Sequence, residues 1–469
     1  MTVLTRVSNG KSVSLGNQIA SSGEGEVWET NESGYLAKIY HSPTRERIEK
    51  LKVMVANPPA DPMKSQNHVS IAFPQDLLKN QTGAIVGFLM PTIGQSRELT
   101  TVYNPSLRRR KAPRFNWYYL HATALNTAWI IQSIHDKGYV LGDIKPQNIL
   151  VNDRALVAVI DTDSFQVRDS QTGKVYRCTV GSEGFTPVEL LGKDFSTTDQ
   201  TEIHDRFRLA VLIHYLLFGY HPFSGQWVGS GDSPEQNELI RKGFWYGGQN
   251  SLIHPSQNTI PLDVVHPELK RCFLQCFNDG HTSPDLRPTA EDWHNALEIA
   301  VNDLTVCGKV DSHHYSRNYG KCYWCERKTK LGVDIFLAAS STTNIPTNAT
   351  PSKVDIAVGQ KPQLRPSASK TPLKTPSRIQ TSVKNVAVNT TNQSSHTSVK
   401  SVLVSLSALL ILLLWIIFVI LFILFLFRVG IDTGSPYLVL ISVLLLCLSP
   451  VIIIYLPMLI IGTFMPNKP

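Results

Sequence analysis

Cysteine is scarce in this sequence: seven residues in 469, an odd number. An odd count in a long chain argues against a disulfide framework and for a reducing compartment around the globular part. The opening stretch, Met1–Gly10, has no apolar core and so lacks the form of a secretory leader. There is no internal repeat, helix-turn-helix or RNA-binding signature, so nucleic acid is not an expected partner despite a net charge of +8. Acidic residues almost vanish from 341–400, where eight Lys or Arg accompany a single acid, Asp355. Aromatics are absent from 338–399, and Ser, Thr, Asn, Pro and Lys dominate. Such a segment buries too little apolar surface to offset its ordering entropy, which predicts a disordered linker.

What the linker lacks, the C-terminal end has in excess. Residues 402–427 form an uncharged Leu/Ile-rich run that stops at Arg428. Residues 430–436 then form a turn, and 437–464 make a second apolar run, broken by Pro450 and Pro457. Roughly twenty such residues cross a bilayer core of about 30 Å. The expectation is a two-helix transmembrane hairpin. Basic residues before the first run and Lys468 after the second put both chain ends on the cytosolic side. The basic linker and the hairpin together name a lipid bilayer as a partner. Neither run contains a charge, which favours anchoring over transport.

The first 335 residues have globular patterning. Residues 13–40 alternate around glycines as strand, turn and strand. Helical periodicity runs over 44–56 and 116–138, and 83–93 has the form of a buried strand ending at Pro91.

Chemistry concentrates in a few short stretches. Gly142-Asp143-Ile144-Lys145-Pro146-Gln147-Asn148 carries an acid, a cation and an amide at fixed spacing. Ala158-Val159-Ile160-Asp161-Thr162-Asp163 is an apolar run ending in carboxylates. Upstream lie Ala20-Ser21-Ser22-Gly23-Glu24-Gly25-Glu26-Val27 and Ala37-Lys38-Ile39. In this order the stretches resemble the protein kinase family, of the bacterial eukaryotic-like Ser/Thr type, over roughly residues 10–300.

The resemblance implies ATP and Mg2+ as cofactors and a protein Ser or Thr as substrate. It makes Asp143 the acceptor of the incoming hydroxyl's proton and Lys145 a contact to the γ-phosphate. Asn148 and Asp161 become magnesium ligands, and Lys38 the contact to the α- and β-phosphates. Ala20, Ser22, Gly23, Gly25 and Val27 correspond to the nucleotide-covering loop, although only Gly25 keeps a family glycine. Met90 marks the hinge that reads adenine. Lys38 requires a carboxylate from the next helix, and Glu49 is preferred over Glu46. Asp163, in place of the family's glycine, is either an extra metal ligand or a turn cap, with the turn favoured. Glu189 and Arg287 resemble the family's structural ion pair, and Asp205 the acid that ties its helix to the catalytic loop. Two departures stand out: Leu141 and Gly142 replace the family's His and Arg. Without that Arg, phosphorylation of Thr179 or Ser182 loses its usual cationic partner and is not expected to be an obligate switch.

Behind the kinase-like region, Cys307, His313, Cys322 and Cys325 form C-x5-H-x8-C-x2-C. Four such ligands suit a closed, structural tetrahedral zinc. His314 competes with His313 for the third position, and His313 is favoured. The extension is similar to Cys/His modules seen in some bacterial kinases.

The expected fold is therefore α+β: a two-lobed kinase-like domain over 10–300 (lobes 10–92 and 93–300). A Cys/His extension follows over 301–336, then a linker over 338–399 and membrane helices over 402–427 and 437–464. The expected function is a membrane-anchored Ser/Thr protein kinase. The alternative, suggested by the worn glycine loop and the missing His and Arg, is a pseudokinase scaffold that binds nucleotide without turnover.

Overall fold

The computed structural model describes residues 2–337. The expected linker at 338–399 and membrane runs at 402–427 and 437–464 lie outside the described residues. Among the described residues, no helix is long and apolar enough to cross a membrane.

The N-terminal part is a closed six-stranded barrel with one helix. Its strands are β1 (Val3–Arg6), β2 (Ser12–Ser21), β3 (Gly25–Thr30), β4 (Tyr35–Tyr40), β5 (Asp76–Lys79) and β6 (Ile85–Pro91). The order is β1-β2-β3-β4-β6-β5, and β1 closes the ring by pairing with both β2 and β5. The expected lobe boundary at residue 10 therefore falls inside the barrel, because Val3–Arg6 supply a strand that too short a run of sequence conceals. Inward-facing Leu4, Val13, Leu15, Ala37, Leu78 and Leu89 fill the interior. The expected helix over 44–56 is α1, Arg45–Ala56, and it starts where the Thr44 hydroxyl accepts the Arg47 N–H.

The helical part is built around Trp117–Asp136. Asn116 caps it by accepting from the Tyr118 and Tyr119 amides. It is buried on nearly every side, the mark of a central core helix. The Glu202–Phe218 and Ala290–Asp303 helices pack against it. Each opens with a capping box, Thr201 with His204 and Thr289 with Asp292.

The Cys/His extension is not a separate bead. Its hairpin, Leu304–Val306 with His314–Ser316, leads into the Tyr323–Leu331 helix. Trp324 packs edge-on against Trp117 at 5.0 Å and Phe336 at 4.7 Å, joining the main core.

Candidate active site and metal centre

Lys38 stands in β4 with its neighbour Ala37 in the barrel core. Its backbone is fixed by β6: a Cβ on Gly87 would lie 2.0 Å from the Lys38 carbonyl oxygen, so only glycine allows that approach. The side chain is buried, and its Nζ pairs with Asp161 Oδ1 at 2.9 Å and Asp163 Oδ1 at 2.7 Å. Burial alone would lower the Lys38 pKa, but Asp163 and then Asp161 outweigh it and hold the ammonium charged. Asp163 Oδ2 also accepts the Tyr40 hydroxyl at 2.7 Å. Burial raises the Asp163 pKa, but Lys38 prevails and keeps it below the usual carboxylate range.

Asp161 has a left-handed backbone, φ 57°, which an aspartate tolerates better than most residues. The strain is held on both sides. Ile160 N–H donates to the Asn148 carbonyl at 3.0 Å, and Thr162 Oγ1 donates to the Ala72 carbonyl at 2.8 Å. The first bond ties the Asp161 turn to the 143–148 loop; the second ties it to the segment leading into β5.

In that loop, Asp143 Oδ2 pairs with Lys145 Nζ at 2.5 Å, and Oδ1 accepts the Ser182 hydroxyl at 2.7 Å. Asn148 Nδ2 donates to the Asp143 carbonyl at 3.0 Å and to its Oδ2 at 3.3 Å. That spends the amide N–H groups and leaves the Asn148 side-chain oxygen as the ligating end. An oxygen from Asn148 and the partly exposed carboxylate of Asp161 suit a hard cation such as Mg2+. The loop is anchored from below by Asp205, whose oxygens accept from the Leu141 amide at 2.7 Å and the Gly142 amide at 3.0 Å. His135 and Arg208 complete the shell of this fully buried carboxylate at 3.2 and 3.1 Å. Arg287 grips Glu189 through two bonds of 2.6 and 2.9 Å.

Other expected residues fall differently. Glu49 is not beside Lys38: it faces outward and pairs with Arg45 at 2.8 Å and Lys174 at 3.1 Å. The carboxylate on Lys38 comes instead from Asp163, which is neither a simple turn cap nor, in this arrangement, free for a metal. Gly25 pairs across from Tyr40, and a Cβ there would meet the Ile39 carbonyl at 2.3 Å. Its glycine is explained by strand packing rather than by a phosphate. Ala20 pairs with Val27, the Ser22 N–H donates to the Gly25 carbonyl at 2.9 Å while the Ser22 carbonyl lies 3.0 Å from His41 Nε2, and Gly23 sits open at the hairpin tip. Met90 is within β6, paired with Leu36, and half-buried against the core.

The second cluster brings its four residues together. The ligand atoms of Cys307, His313, Cys322 and Cys325 all lie within 4.8 Å of one another. Cys307 and Cys325 Sγ are 3.6 Å apart, and His313 Nδ1 is 3.6 Å from Cys322 Sγ and 3.5 Å from Cys325 Sγ. Two ligands about 2.3 Å from a shared tetrahedral ion stand about 3.8 Å apart, so this set is close to a zinc shell. His313 Nε2 lies 3.0 Å from Asp334 Oδ1, the outer carboxylate that orients a ligating imidazole. His314 turns away and lies 5.5 Å from the Tyr118 ring.

Comparison with known proteins points the same way. Residues 85–296 match the family model described as "Protein kinase domain". The chain is 32% identical over 326 residues to Protein kinase YegI of Escherichia coli strain K12, covering 68% of this chain and 49% of that protein. The probable serine/threonine-protein kinase irlC of Dictyostelium discoideum is 33% identical over 95 residues, 20% of this chain and 6% of its own. A solved Toxoplasma gondii rhoptry antigen kinase domain superposes with a TM-score of 0.42 at 15% identity, over 64% of this chain and 86% of its own, too slight a likeness to carry weight. The chain spans about half the length of the curated YegI relatives it matches. With its motifs gathered as described, this chain carries a domain of the protein kinase superfamily.

Proposed function

We propose that the chain transfers the γ-phosphate of ATP to a Ser or Thr of a protein substrate, from a position anchored at a membrane. The observation that supports this most is the convergence of Lys38, Asp143, Asn148 and Asp161 from separate stretches of sequence. Lys38 would hold nucleotide phosphates, and Asn148 and Asp161 the magnesium. Bound there, magnesium would neutralise phosphate charge during transfer. Asp143 already accepts a hydroxyl proton donor, that of Ser182, and Lys145 fixes its other oxygen. That is the contact a substrate hydroxyl requires for orientation and proton acceptance.

The runs at 402–427 and 437–464 would hold the domain beneath a membrane, with both ends cytosolic and the 338–399 segment as tether. Zinc at Cys307, His313, Cys322 and Cys325 is structural in this reading, because four protein ligands leave no open position.

The test is radiolabelled phosphate transfer from Mg-ATP by the full chain. Wild type should incorporate label, and Asp161→Ala and Asp143→Asn should abolish it. The rival reading, a nucleotide-binding scaffold, is favoured by the absence of a helix carboxylate at Lys38. It would show thermal stabilisation by Mg-ATP and no incorporation in wild type.

A further inference from the structure

The segment over the catalytic loop is held down by an amide, at the place where the family carries an arginine. A Cβ built on Gly142 would stand 3.4 Å from Gln200 Nε2, so this nitrogen lines the space into which a longer side chain at 142 would grow. Gln200 is 1% exposed, and all its polar groups are partnered. Its Nε2 donates to the Cys178 carbonyl at 3.0 Å and the Val180 carbonyl at 3.4 Å. Its Oε1 accepts from Arg208 Nη2 at 2.6 Å. The ends of this amide cannot be exchanged, because a guanidinium offers no acceptor and a carbonyl no proton. The Gln200 backbone is clamped as well. Gln166 Oε1 accepts its N–H at 2.8 Å, and Gln166 Nε2 donates to its carbonyl at 2.6 Å.

These bonds form one run. Arg208 Nη1 donates at 3.1 Å to Asp205 Oδ1, the oxygen that also accepts the Gly142 amide at 3.0 Å. The catalytic loop is thus joined through Asp205, Arg208 and Gln200 to the carbonyls of residues 178 and 180. Two residues further on, the Ser182 hydroxyl meets Asp143 Oδ1 at 2.7 Å. Where an arginine holds such a segment through a phosphate, the bond exists only after modification. An amide on backbone carbonyls needs none, since donor and acceptors are always present. Breaking it would leave buried carbonyls without a donor, which costs more than the bond itself contributes.

We propose that Gln200 is a positioning residue whose amide pins residues 178–182 against the catalytic loop, so that this segment is ordered for phosphate transfer with no phosphate of its own. The proposal rests on the reading of the cleft as a Mg-ATP phosphotransfer site.

The experiment follows labelled phosphate transfer from Mg-ATP to casein by the full chain, after a broad phosphatase has stripped it and been removed. Wild type should transfer from the first time point, without a lag. Gln200→Glu keeps the acceptor for Arg208 and loses both donations; Gln200→Met loses all three bonds. Each should lower kcat by about ten- to a hundredfold, with the KM for ATP within about twofold of wild type. Cys178 is buried and reports release of the segment. Iodoacetamide, read by mass spectrometry, should label it about tenfold faster in both variants. The buried Cys272 and Cys276 of the helical core should stay protected. If wild type transfers no phosphate, the reading of the cleft falls, and this proposal with it. If wild type transfers only after a lag that tracks its own phosphate uptake, or either folded variant keeps the wild-type kcat, the Gln200 proposal alone is overturned. Equal acceleration at all three thiols overturns it too, since Gln200 would then merely support the core. Should neither variant fold, wild type decides: a lag, or Cys178 labelling much faster than Cys272, overturns the pinning, and immediate transfer with Cys178 protected upholds it.

Discussion

Cys178 occupies the space beside Gly142: a Cβ on that glycine would stand 2.6 Å from the Cys178 Sγ. Gly142 also has φ +74°, so an L side chain would be strained there as well as blocked. The loss of the family's arginine is therefore built into the packing of the activation segment over the catalytic loop. Gly142→Ala should destabilise the domain by about 2 kcal/mol or more in denaturant melts. Adding Cys178→Ala should recover only a fraction, because alanine keeps the Cβ that would stand 2.7 Å away and the backbone strain persists. Full recovery would mean that neither the remaining contact nor the left-handed backbone costs anything.

The Glu189–Arg287 pair offers a second test. The Arg287 guanidinium is 1% exposed and Glu189 is 25% exposed. Arg287→Ala should lower stability by about 3 kcal/mol, since it strands a partly buried carboxylate. Burial raises the Glu189 pKa, but Arg287 overrides it, and the folded value lies below 4.5. A folded pKa below the unfolded one gives stability that is present above about 4.5. That stability is lost as pH falls through the lower folded value. The slope of stability against pH below 4.5 should therefore be shallower in Arg287→Ala than in wild type, as read by urea melts across pH 3 to 6.

Ser182 has a built-in consequence of its own. Its hydroxyl is held on Asp143, so a carboxylate in its place would set like charge against the proton acceptor. Ser182→Asp should reduce phosphate transfer by about a hundredfold or more with nucleotide affinity nearly unchanged. Ser182→Ala, which only removes a donor, should be much milder. Equal loss in both would show that the hydroxyl itself, not the charge beside Asp143, is what matters.

Metal content is the fourth check. The purified chain should hold about one zinc, and chelation should lower its melting temperature, because the ligands tie the 304–316 hairpin to the Tyr323–Leu331 helix. Asp334→Asn, which leaves all four ligands in place, should weaken zinc affinity by about ten- to a hundredfold through loss of the carboxylate behind His313.

Much of this site was legible from short-range pattern. Lys38, Asp143, Asn148 and Asp161 each sit in or beside a strand or loop whose residues are contiguous, so the resemblance of these short stretches to family motifs marked them. The partner of Lys38 was not legible in that way. Glu49 and Lys50 are neighbours on α1, and which one turns inward depends on helix phase. Leu51 and Met54 set that phase, and Lys50 lies one turn before Met54, whereas Glu49 is about 200° around from Leu51. The apolar positions thus set the phase that turns Lys50, not Glu49, inward. Asp163 was hidden for another reason. The left-handed turn at Asp161 brings the carboxylates of Asp161 and Asp163 onto one lysine, and no sequence period encodes that. The Ser182–Asp143 contact and the closure of the barrel by Val3–Arg6 depend on folding across long separations.

Arg108 sets a limit on how far the protein can be shortened. Its guanidinium is buried and bonds only carbonyls, those of Val102, Tyr103 and Ile335, with the Phe336 ring 4.4 Å from its Cζ. Burial pulls its pKa down to about 9. A fragment ending before residue 335 would open that socket, take one acceptor and the aromatic face away, and leave the cation facing a hole beside the first helices of the C-terminal lobe. A fragment that keeps this socket closed thus ends after Phe336, not at the helix that stops at Asp303.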